Sequence, residues 1–188
     1  SLLSLMENKQ TSFNTWPSFK PKVIDEWYVL NEEREGVEAQ RSFVQKALAT
    51  PDFTLLEGPP GSGKTTAILE LIVQLINNGK KSLLCASTHV AIDNVLERLM
   101  EKNLLNNIHP MRLGDTNRVS DDVNQFCYEK FSDNPFKNII LESSNLVCGT
   151  TIGILRHPLF ASDYNQPSNP VFDYLIIDES SKTTFQEF

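Results

Sequence analysis

The chain has 188 residues, a formal net charge of −7, and 40% hydrophobic and 22% charged residues. These proportions are typical of a globular domain with a core, and the acidic balance excludes a broad basic surface while leaving room for a local nucleic-acid groove. No apolar run approaches the roughly 18 residues of a membrane span, and no secretory signal opens the chain, so we expect no membrane partner.

The cysteines indicate a reducing environment. Cys85, Cys127 and Cys148 are odd in number, widely spaced and flanked by apolar residues. We therefore expect reduced core thiols rather than disulfides or metal ligands, and a cytoplasmic location.

The first 36 residues have no clear period, and we expect them to be an N-terminal extension or the remnant of a preceding domain. Trp16 and Trp27 within this stretch are expected to pack against the domain rather than to stack on bases. The chain begins at Ser1 and stops at Phe188 in an apparently unfinished segment. We expect it to be a piece of a longer protein, with residues 37–188 forming part of one domain.

From Val37 onward, apolar strand-length runs alternate with helical patterns. Helices are expected at 37–48, 65–77 and 89–102, where apolar residues recur at helical spacing. Strands are expected at 53–56, 82–87, 111–113, 145–148 and 174–177. This alternation predicts an α/β fold, a parallel sheet covered by helices on both faces.

A glycine-rich turn between the predicted strand at 53–56 and the helix that follows matches the full P-loop (Walker A) pattern. Its backbone N–H groups and the helix N-terminus are expected to bind phosphates. Lys64 is expected to reach the β- and γ-phosphates, and the Thr65 hydroxyl to ligate Mg²⁺. The nucleotide-binding residues are Gly58, Pro59, Pro60, Gly61, Ser62, Gly63, Lys64, Thr65 and Thr66.

A buried strand ends in two carboxylates, Asp178 and Glu179, in the manner of a Walker B motif. Such residues face the ligand crevice at the carboxyl end of strands in an open α/β sheet. Asp178 suits the Mg²⁺ ion, and Glu179 suits the general base that orients the attacking water. The pair therefore indicates hydrolysis of a nucleoside triphosphate such as ATP, with Lys64 and Glu179 as the catalytic residues.

Together these motifs resemble superfamily 1 helicases of the 1B group, and specifically their first RecA-like AAA ATPase domain. The Gly-Pro-Pro-Gly-Ser-Gly-Lys-Thr phrase has the 1B form, and residues 38–44 resemble the Q motif, whose glutamine, here Gln40, reads the adenine edge. Residues 85–94 resemble motif Ia and 178–182 motif II, while 147–151 resemble a further strand-contacting motif more weakly. The resemblance implies single-stranded nucleic acid as a partner, contacted by Ser87, Thr88, His89, Thr150 and Thr151.

Two motifs depart from the family pattern. Ser87 and His89 replace the usual Pro and Asn of motif Ia, and Lys182 replaces the Gln that usually follows motif II. The first change leaves the hydroxyl chemistry intact. The second affects a position that often couples the nucleotide and nucleic-acid sites.

The resemblance covers roughly 37–188 and ends after motif II. It implies a second RecA-like domain, on the same longer chain, that supplies an arginine finger worth about 10³–10⁵ in turnover. We expect this chain alone to bind nucleotide, to hydrolyse it slowly and not to unwind nucleic acid. Two alternatives remain: a nucleotide-gated regulatory NTPase that does not translocate, and a nucleic-acid-binding or assembly module with a vestigial nucleotide site.

Some residues near the predicted site have plainer interpretations. Thr88 and Ser87 are in the position that caps a helix, and a histidine at a helix start, as His89 is, is often only solvated. Arg112 and Arg118 are expected to lie in solvent on the surface.

Overall fold

A computed structural model describes residues 20–131, 133–160 and 172–180, and of residues 137 and 138 it describes the backbone. Within these ranges, the helices are α1 (Val37–Ala47), α2 (Lys64–Asn77), α3 (His89–Glu101), α4 (Lys137–Ser143) and α5 (Thr151–Arg156). The strands are β1 (Ser82–Ala86), β2 (Pro110–Arg112), β3 (Leu146–Thr150) and β4 (Tyr174–Asp178). Short 3-10 helices cover 116–118, 123–126 and 128–131.

The four strands form one sheet in the order β2-β3-β1-β4, and every pair is parallel. The register places Ala86 beside Thr150 on one side and beside Asp178 on the other. The carboxyl ends of β1, β3 and β4 therefore lie abreast. Residues that follow these three strands share one edge of the sheet.

Alternate residues of the strands enter two separate cores. Leu84, Ala86, Leu146, Cys148 and Ile176 pack in one core with residues of α1, α2 and α3. The opposite face carries a second core, formed by residues from β1, β2, β3 and α5 with partly buried side chains of α4 packed against it. The predicted parallel sheet with helices on both faces is confirmed.

The prediction of a strand at 53–56 is wrong. Residues 53–59 belong to no strand of the described sheet, and the side chains of Phe53 and Leu55 are mostly exposed. An apolar run becomes a strand only when a neighbouring strand offers it a ladder of backbone hydrogen bonds. None of the four described strands pairs with it. The phosphate loop is thus preceded by irregular chain rather than by a strand of the described sheet.

Residues 20–36 pack on the domain without forming a helix or strand. Val29 and Leu30 are buried in the same core as α1 and α2, and Trp27 packs against that core at its margin. The Arg41 guanidinium lies over the Trp27 ring, 5.5 Å from its centroid. Packing of Trp27 against the domain is confirmed, whereas Trp16 lies outside the described residues.

A buried carboxylate fastens this segment to α2. Glu70 is fully buried, and its Oε2 accepts the backbone N–H groups of Tyr28, Val29 and Leu30 at 3.1, 2.6 and 2.9 Å. Gln74 Nε2 donates to the other oxygen at 2.8 Å. A buried charge is tolerated when it is fully hydrogen-bonded, and here it satisfies three consecutive backbone donors.

Replacing Glu70 by alanine is expected to lower the free energy of unfolding by about 2–3 kcal/mol, because buried N–H groups lose their acceptor. The measurement is urea unfolding of the chain. Glu101→Ala is the matched control, since Glu101 is exposed at the end of α3, and it should change stability by less than about 0.5 kcal/mol. Equal midpoints for the two variants would contradict the anchoring role of Glu70.

Of the residues that the structure describes, none lies in a helix both long enough and apolar enough to cross a membrane.

Candidate active site

The phosphate loop lies on the surface, immediately before α2. Residues 59–62 are exposed, and Gly63 caps the helix with φ +79°, a backbone conformation that favours glycine. A Cβ at Gly63 would clash with the side-chain amide of Gln40. The first turn of α2 contains no acidic residue, so nothing there offsets the positive end of the helix dipole. The loop therefore fits a phosphate group.

Lys64 points back over its own loop. Its Nζ donates to the carbonyl oxygens of Gly58 and Pro59 at 2.6 and 2.9 Å. These bonds hold the ammonium against its own loop, and its contact with phosphates remains a prediction. Thr65 and Thr66 follow in the first turn of α2 and are half-buried.

Gln40 is packed against the phosphate loop. It is buried, and its Nε2 donates to the carbonyls of Ser62 and Gly63 at 2.8 and 3.2 Å. Its Oε1 accepts from Arg34 Nη2 at 2.7 Å. Both ends of the amide are therefore engaged, one by the loop backbone and the other by Arg34. The family role of reading adenine remains a prediction, and the structure adds Arg34, which sequence reasoning missed.

Asp178 is the last residue of β4, and Glu179 follows it. The Glu179 backbone has φ +54°, and its N–H donates to Asp178 Oδ1 at 2.9 Å. Its side-chain Oε2 accepts a hydrogen bond from Ser87 Oγ at 3.0 Å. The acidic pair is thus joined directly to the first residue after β1.

The threonine hydroxyls that are predicted to contact nucleic acid each have a partner within the fold. Thr88 caps α3 by accepting from the Ala91 N–H, and Thr150 caps α5 by accepting from the Gly153 N–H. The capping interpretation of Thr88 is confirmed, and capping leaves the hydroxyl proton able to donate. Thr151 is buried, and its Oγ1 donates to the Ala86 carbonyl at 3.3 Å. The expected nucleic-acid contact of Thr151 therefore stays a prediction, and the structure shows its hydroxyl engaged inside the fold.

The prediction that Arg112 lies in solvent on the surface is wrong. It is fully buried rather than solvated, and its Nε lies 3.0 Å from Asp93 Oδ1. It also donates to the Leu113 carbonyl. Breaking a buried ion pair of this kind costs about 3–5 kcal/mol, because the remaining charge loses its partner. Arg118, by contrast, has a largely exposed side chain, as predicted.

A sequence signal for the Arg112 pair exists. Asp93 falls among Ile92, Val95 and Leu96 on the inward side of α3. Arg112, the last residue of β2, stands between the apolar residues Met111 and Leu113. Each charge is at a core position, which indicates that each has a buried partner.

Arg112 also fixes the state of His89, the first residue of α3. Its Nη2 lies 2.8 Å from His89 Nδ1, and since arginine only donates, Nδ1 is the acceptor and the ring proton is on Nε2. Partial burial, and then the neighbouring Arg112 charge, lowers the pKa of His89. Gly114 makes room for this contact, because a Cβ there would lie 3.3 Å from Arg112 Nη1 and 3.7 Å from His89 Cε1. His89 is thus half-buried and held, not simply solvated.

The three cysteines are free and buried, as predicted. Burial raises the pKa of Cys85 and of Cys148 to about 12. In the described part of the chain, no group of three or more His, Cys, Asp or Glu side chains is arranged to hold a metal ion. One carboxylate and a threonine hydroxyl, as at Asp178 and Thr65, suit Mg²⁺ that is held partly by nucleotide phosphates.

Comparison with known proteins finds one matching family model and several similar proteins. The model of the AAA domain family matches residues 36–138. The DNA replication ATP-dependent helicase/nuclease DNA2 of Saccharomyces cerevisiae is 34% identical over 145 residues, which cover 76% of this chain and 9% of that protein. DNA2 of Homo sapiens is 34% identical over 148 residues, covering 76% and 13%. The DNA-binding protein SMUBP-2 of Mesocricetus auratus is 44% identical over 77 residues, covering 40% and 8%. The chain thus matches about a tenth of the length of these curated relatives.

Proposed function

This chain belongs to the AAA domain family and is a RecA-like P-loop domain of the superfamily 1B helicase type; from that premise we propose that it is the ATP-binding and hydrolysing motor domain of a DNA or RNA helicase. The alternative is a nucleotide-gated regulatory NTPase that does not translocate. Because the chain matches only a small part of its relatives, their printed activities come to it as proposals.

The observation that carries the proposal is the shared edge of the sheet. Asp178 is the register partner of Ala86, so Glu179 and Ser87 follow adjacent strand ends and are 3.0 Å apart. A motor needs hydrolysis and strand binding to be coupled, and here residues assigned to each are in direct contact.

In this proposal, Lys64 contacts the β- and γ-phosphates, while the loop residues 58–63 and the first turn of α2 donate backbone N–H groups. Thr65 and Asp178 hold the Mg²⁺ ion. When bound, that ion neutralises charge on the phosphate oxygens. Glu179 orients the attacking water and accepts its proton. Gln40 lies against the loop, and contact of its amide with the adenine edge would replace one of its present hydrogen bonds to the loop or to Arg34.

We propose that single-stranded nucleic acid crosses the sheet edge at the carboxyl ends of β1 and β3. Ser87, Thr88 and Thr150 supply hydroxyl donors to its phosphates, and His89 supplies Nε2–H. Phosphate contacts position a strand without reading its sequence. This arrangement needs no broadly basic surface, which agrees with the net charge of −7.

A second RecA-like domain is proposed to complete the site with an arginine finger, whose contribution to turnover in related NTPases is about 10³–10⁵. This chain alone would then hydrolyse ATP slowly and would not unwind nucleic acid. We propose that residues 37–188 form part of the first such domain, and that residues 1–36 are an N-terminal extension or the remnant of a preceding domain. The buried, reduced cysteines support an intracellular location.

The test is steady-state ATP hydrolysis by the full-length protein with oligothymidylate, oligouridylate or blunt duplex DNA. We expect either single strand to raise turnover more than the duplex, with the preferred strand distinguishing DNA from RNA. If no nucleic acid changed the rate of ATP hydrolysis, the helicase proposal would be rejected and the regulatory NTPase favoured.

A further inference from the structure

The three hydrogen bonds of the buried Gln40 amide fix which end of it is the oxygen. Carbonyl oxygens only accept, so the group that faces the Ser62 and Gly63 carbonyls, at 2.8 and 3.2 Å, is the Nε2 donor. An arginine only donates, so the group that faces Arg34 Nη2, at 2.7 Å, is Oε1. The amide oxygen is therefore turned toward Arg34.

The position of Arg34 is set by the backbone on both sides of it. Arg34 lies in the turn before α1, where the Val37 N–H donates to the Arg34 carbonyl at 3.1 Å. Upstream, the Leu30 carbonyl accepts from Arg41 Nε and Nη2 at 2.9 and 2.7 Å, and the Leu30 N–H is bonded to Glu70. Because these bonds fasten the segment to α1 and α2, the Arg34 side chain starts from a fixed point of the fold.

The Arg34 guanidinium lies beside the last residue of the phosphate loop. A Cβ at Gly63 would stand 3.6 Å from Arg34 Nη1. The residue is exposed, and in the described ranges no carboxylate lies within ion-pair distance of it. Of the hydrogen bonds within the same ranges, its side chain makes the one to Gln40. The guanidinium therefore keeps N–H groups that can donate to a ligand at this end of the loop.

Arg34 and Gln40 together present a donor beside an acceptor. The base edge that complements such a pair carries an amino group, which donates, next to a ring nitrogen, which accepts. Adenine has this pattern, since its N6 amine lies between two ring nitrogens, N1 and N7, that both accept. The chemistry of the pair therefore suits the base of ATP.

Resting on the proposed function, we propose that Arg34 is a base-contacting residue of the nucleotide site and that it reads adenine together with Gln40. The N6 amine donates to Gln40 Oε1 and takes the place of Arg34 there. The guanidinium, kept close by its turn, then donates to a ring nitrogen beside that amine. Gln40 Nε2 keeps its bonds to the loop carbonyls, so the loop does not have to rearrange. No covalent bond changes, and one hydrogen bond is exchanged for two.

The test is nucleotide binding by the full-length protein, measured by isothermal titration with Mg²⁺ and ADP, 1-deaza-ADP or 7-deaza-ADP. The diphosphates carry the same base as ATP and are not consumed by hydrolysis. Each analogue replaces one ring nitrogen beside the amine by a C–H group. We expect one analogue to bind the wild type about ten-fold more weakly than ADP does, the scale of one hydrogen bond to a charged group. In Arg34→Ala, that analogue and ADP should bind alike, because the donor is gone.

Loss of positive charge alone would weaken the binding of all three diphosphates equally, so the affinity ratio between ADP and the analogue isolates the base contact. Arg34→Lys keeps the charge with a smaller set of donors, and its ratio should lie between those of the wild type and Arg34→Ala. Arg156→Ala is the matched control and should keep the wild-type ratio. Arg156 is exposed at the end of α5, which packs on the face of the sheet opposite to α2. Thermal unfolding of each variant checks that the fold is kept.

Two results would overturn the proposal while leaving the nucleotide site intact. One is a wild type that binds both analogues as tightly as ADP. The other is an Arg34→Ala variant that still discriminates against the analogue as strongly as the wild type does. A wild type that binds neither ADP nor ATP would instead reject the proposed function, because a motor domain has to bind its nucleotide.

Discussion

Replacing Glu179 by glutamine is expected to lower the kcat of ATP hydrolysis by about 10²–10⁴-fold, the range that a positioned general base contributes. Glutamine has the same shape and can still accept from Ser87, so the fold and the hydrogen bond of the edge should persist. It cannot take a proton from water. Binding and hydrolysis should therefore separate in this variant, with the nucleotide dissociation constant within a few-fold of wild type.

The measurement pairs strand-stimulated turnover with titration of a fluorescent ATP analogue. Glu142→Gln is the control, because Glu142 is exposed on α4 and carries the same loss of charge. If the Glu179→Gln variant hydrolysed ATP at the wild-type rate, the general base would have to be another residue. A parallel loss of nucleotide binding would place Glu179 in the binding site instead.

The regular elements of the sheet were predictable because their signals are local. The helix at α2 follows from apolar residues at helical spacing together with the glycine-rich turn, and it begins within one residue of the predicted start. Strands β1 and β4 are apolar runs, as parallel strands commonly are, although β4 lies at the edge of the described sheet and only its Ile176 is buried. Even the shared edge of Asp178 and Ser87 was predictable in outline, since parallel strands end on the same side.

The side-chain partners were less predictable, because they join distant parts of the chain. The apolar neighbours of Arg112 and of Asp93 indicate a buried partner for each, but not that the two pair with each other. Glu70 is on a helix whose pattern gives no hint that residues 28–30 cover it. The run at 53–56 has a strand composition, yet composition does not supply the neighbouring strand that a ladder requires.

Ser87 illustrates both what the sequence indicates and what only the fold supplies. From the sequence it is a departure from motif Ia, a serine where proline is usual, and its hydroxyl suggests a phosphate contact. Only the register of β1 with β4 brings that hydroxyl to Glu179. A change that looks neutral for strand binding therefore adds a donor to the proposed catalytic centre. Lys182, the other departure, lies outside the described residues.

Replacing Lys64 by alanine is expected to weaken ATP binding by about 10–100-fold, which corresponds to one charge-assisted hydrogen-bonding group. Turnover at saturating ATP should fall by at least about 10²-fold, because the ammonium also stabilises charge that develops on the phosphates. We expect the fold to survive the change, since within the described residues the hydrogen bonds of the Lys64 ammonium go to the loop carbonyls of Gly58 and Pro59. Isothermal titration with ATP and Mg²⁺ measures the first effect and steady-state hydrolysis the second.

Lys46→Ala is the matched control, because Lys46 is exposed in the last turn of α1, away from the loop. Lys64→Arg adds a sharper comparison. It keeps the charge, but the guanidinium is a larger, planar group that does not fit where one ammonium bridges two loop carbonyls 2.6 and 2.9 Å away. If position matters as much as charge, arginine should fail nearly as badly as alanine in turnover while retaining part of the affinity. Unchanged ATP affinity in Lys64→Ala would remove Lys64 from the nucleotide site and favour a vestigial loop.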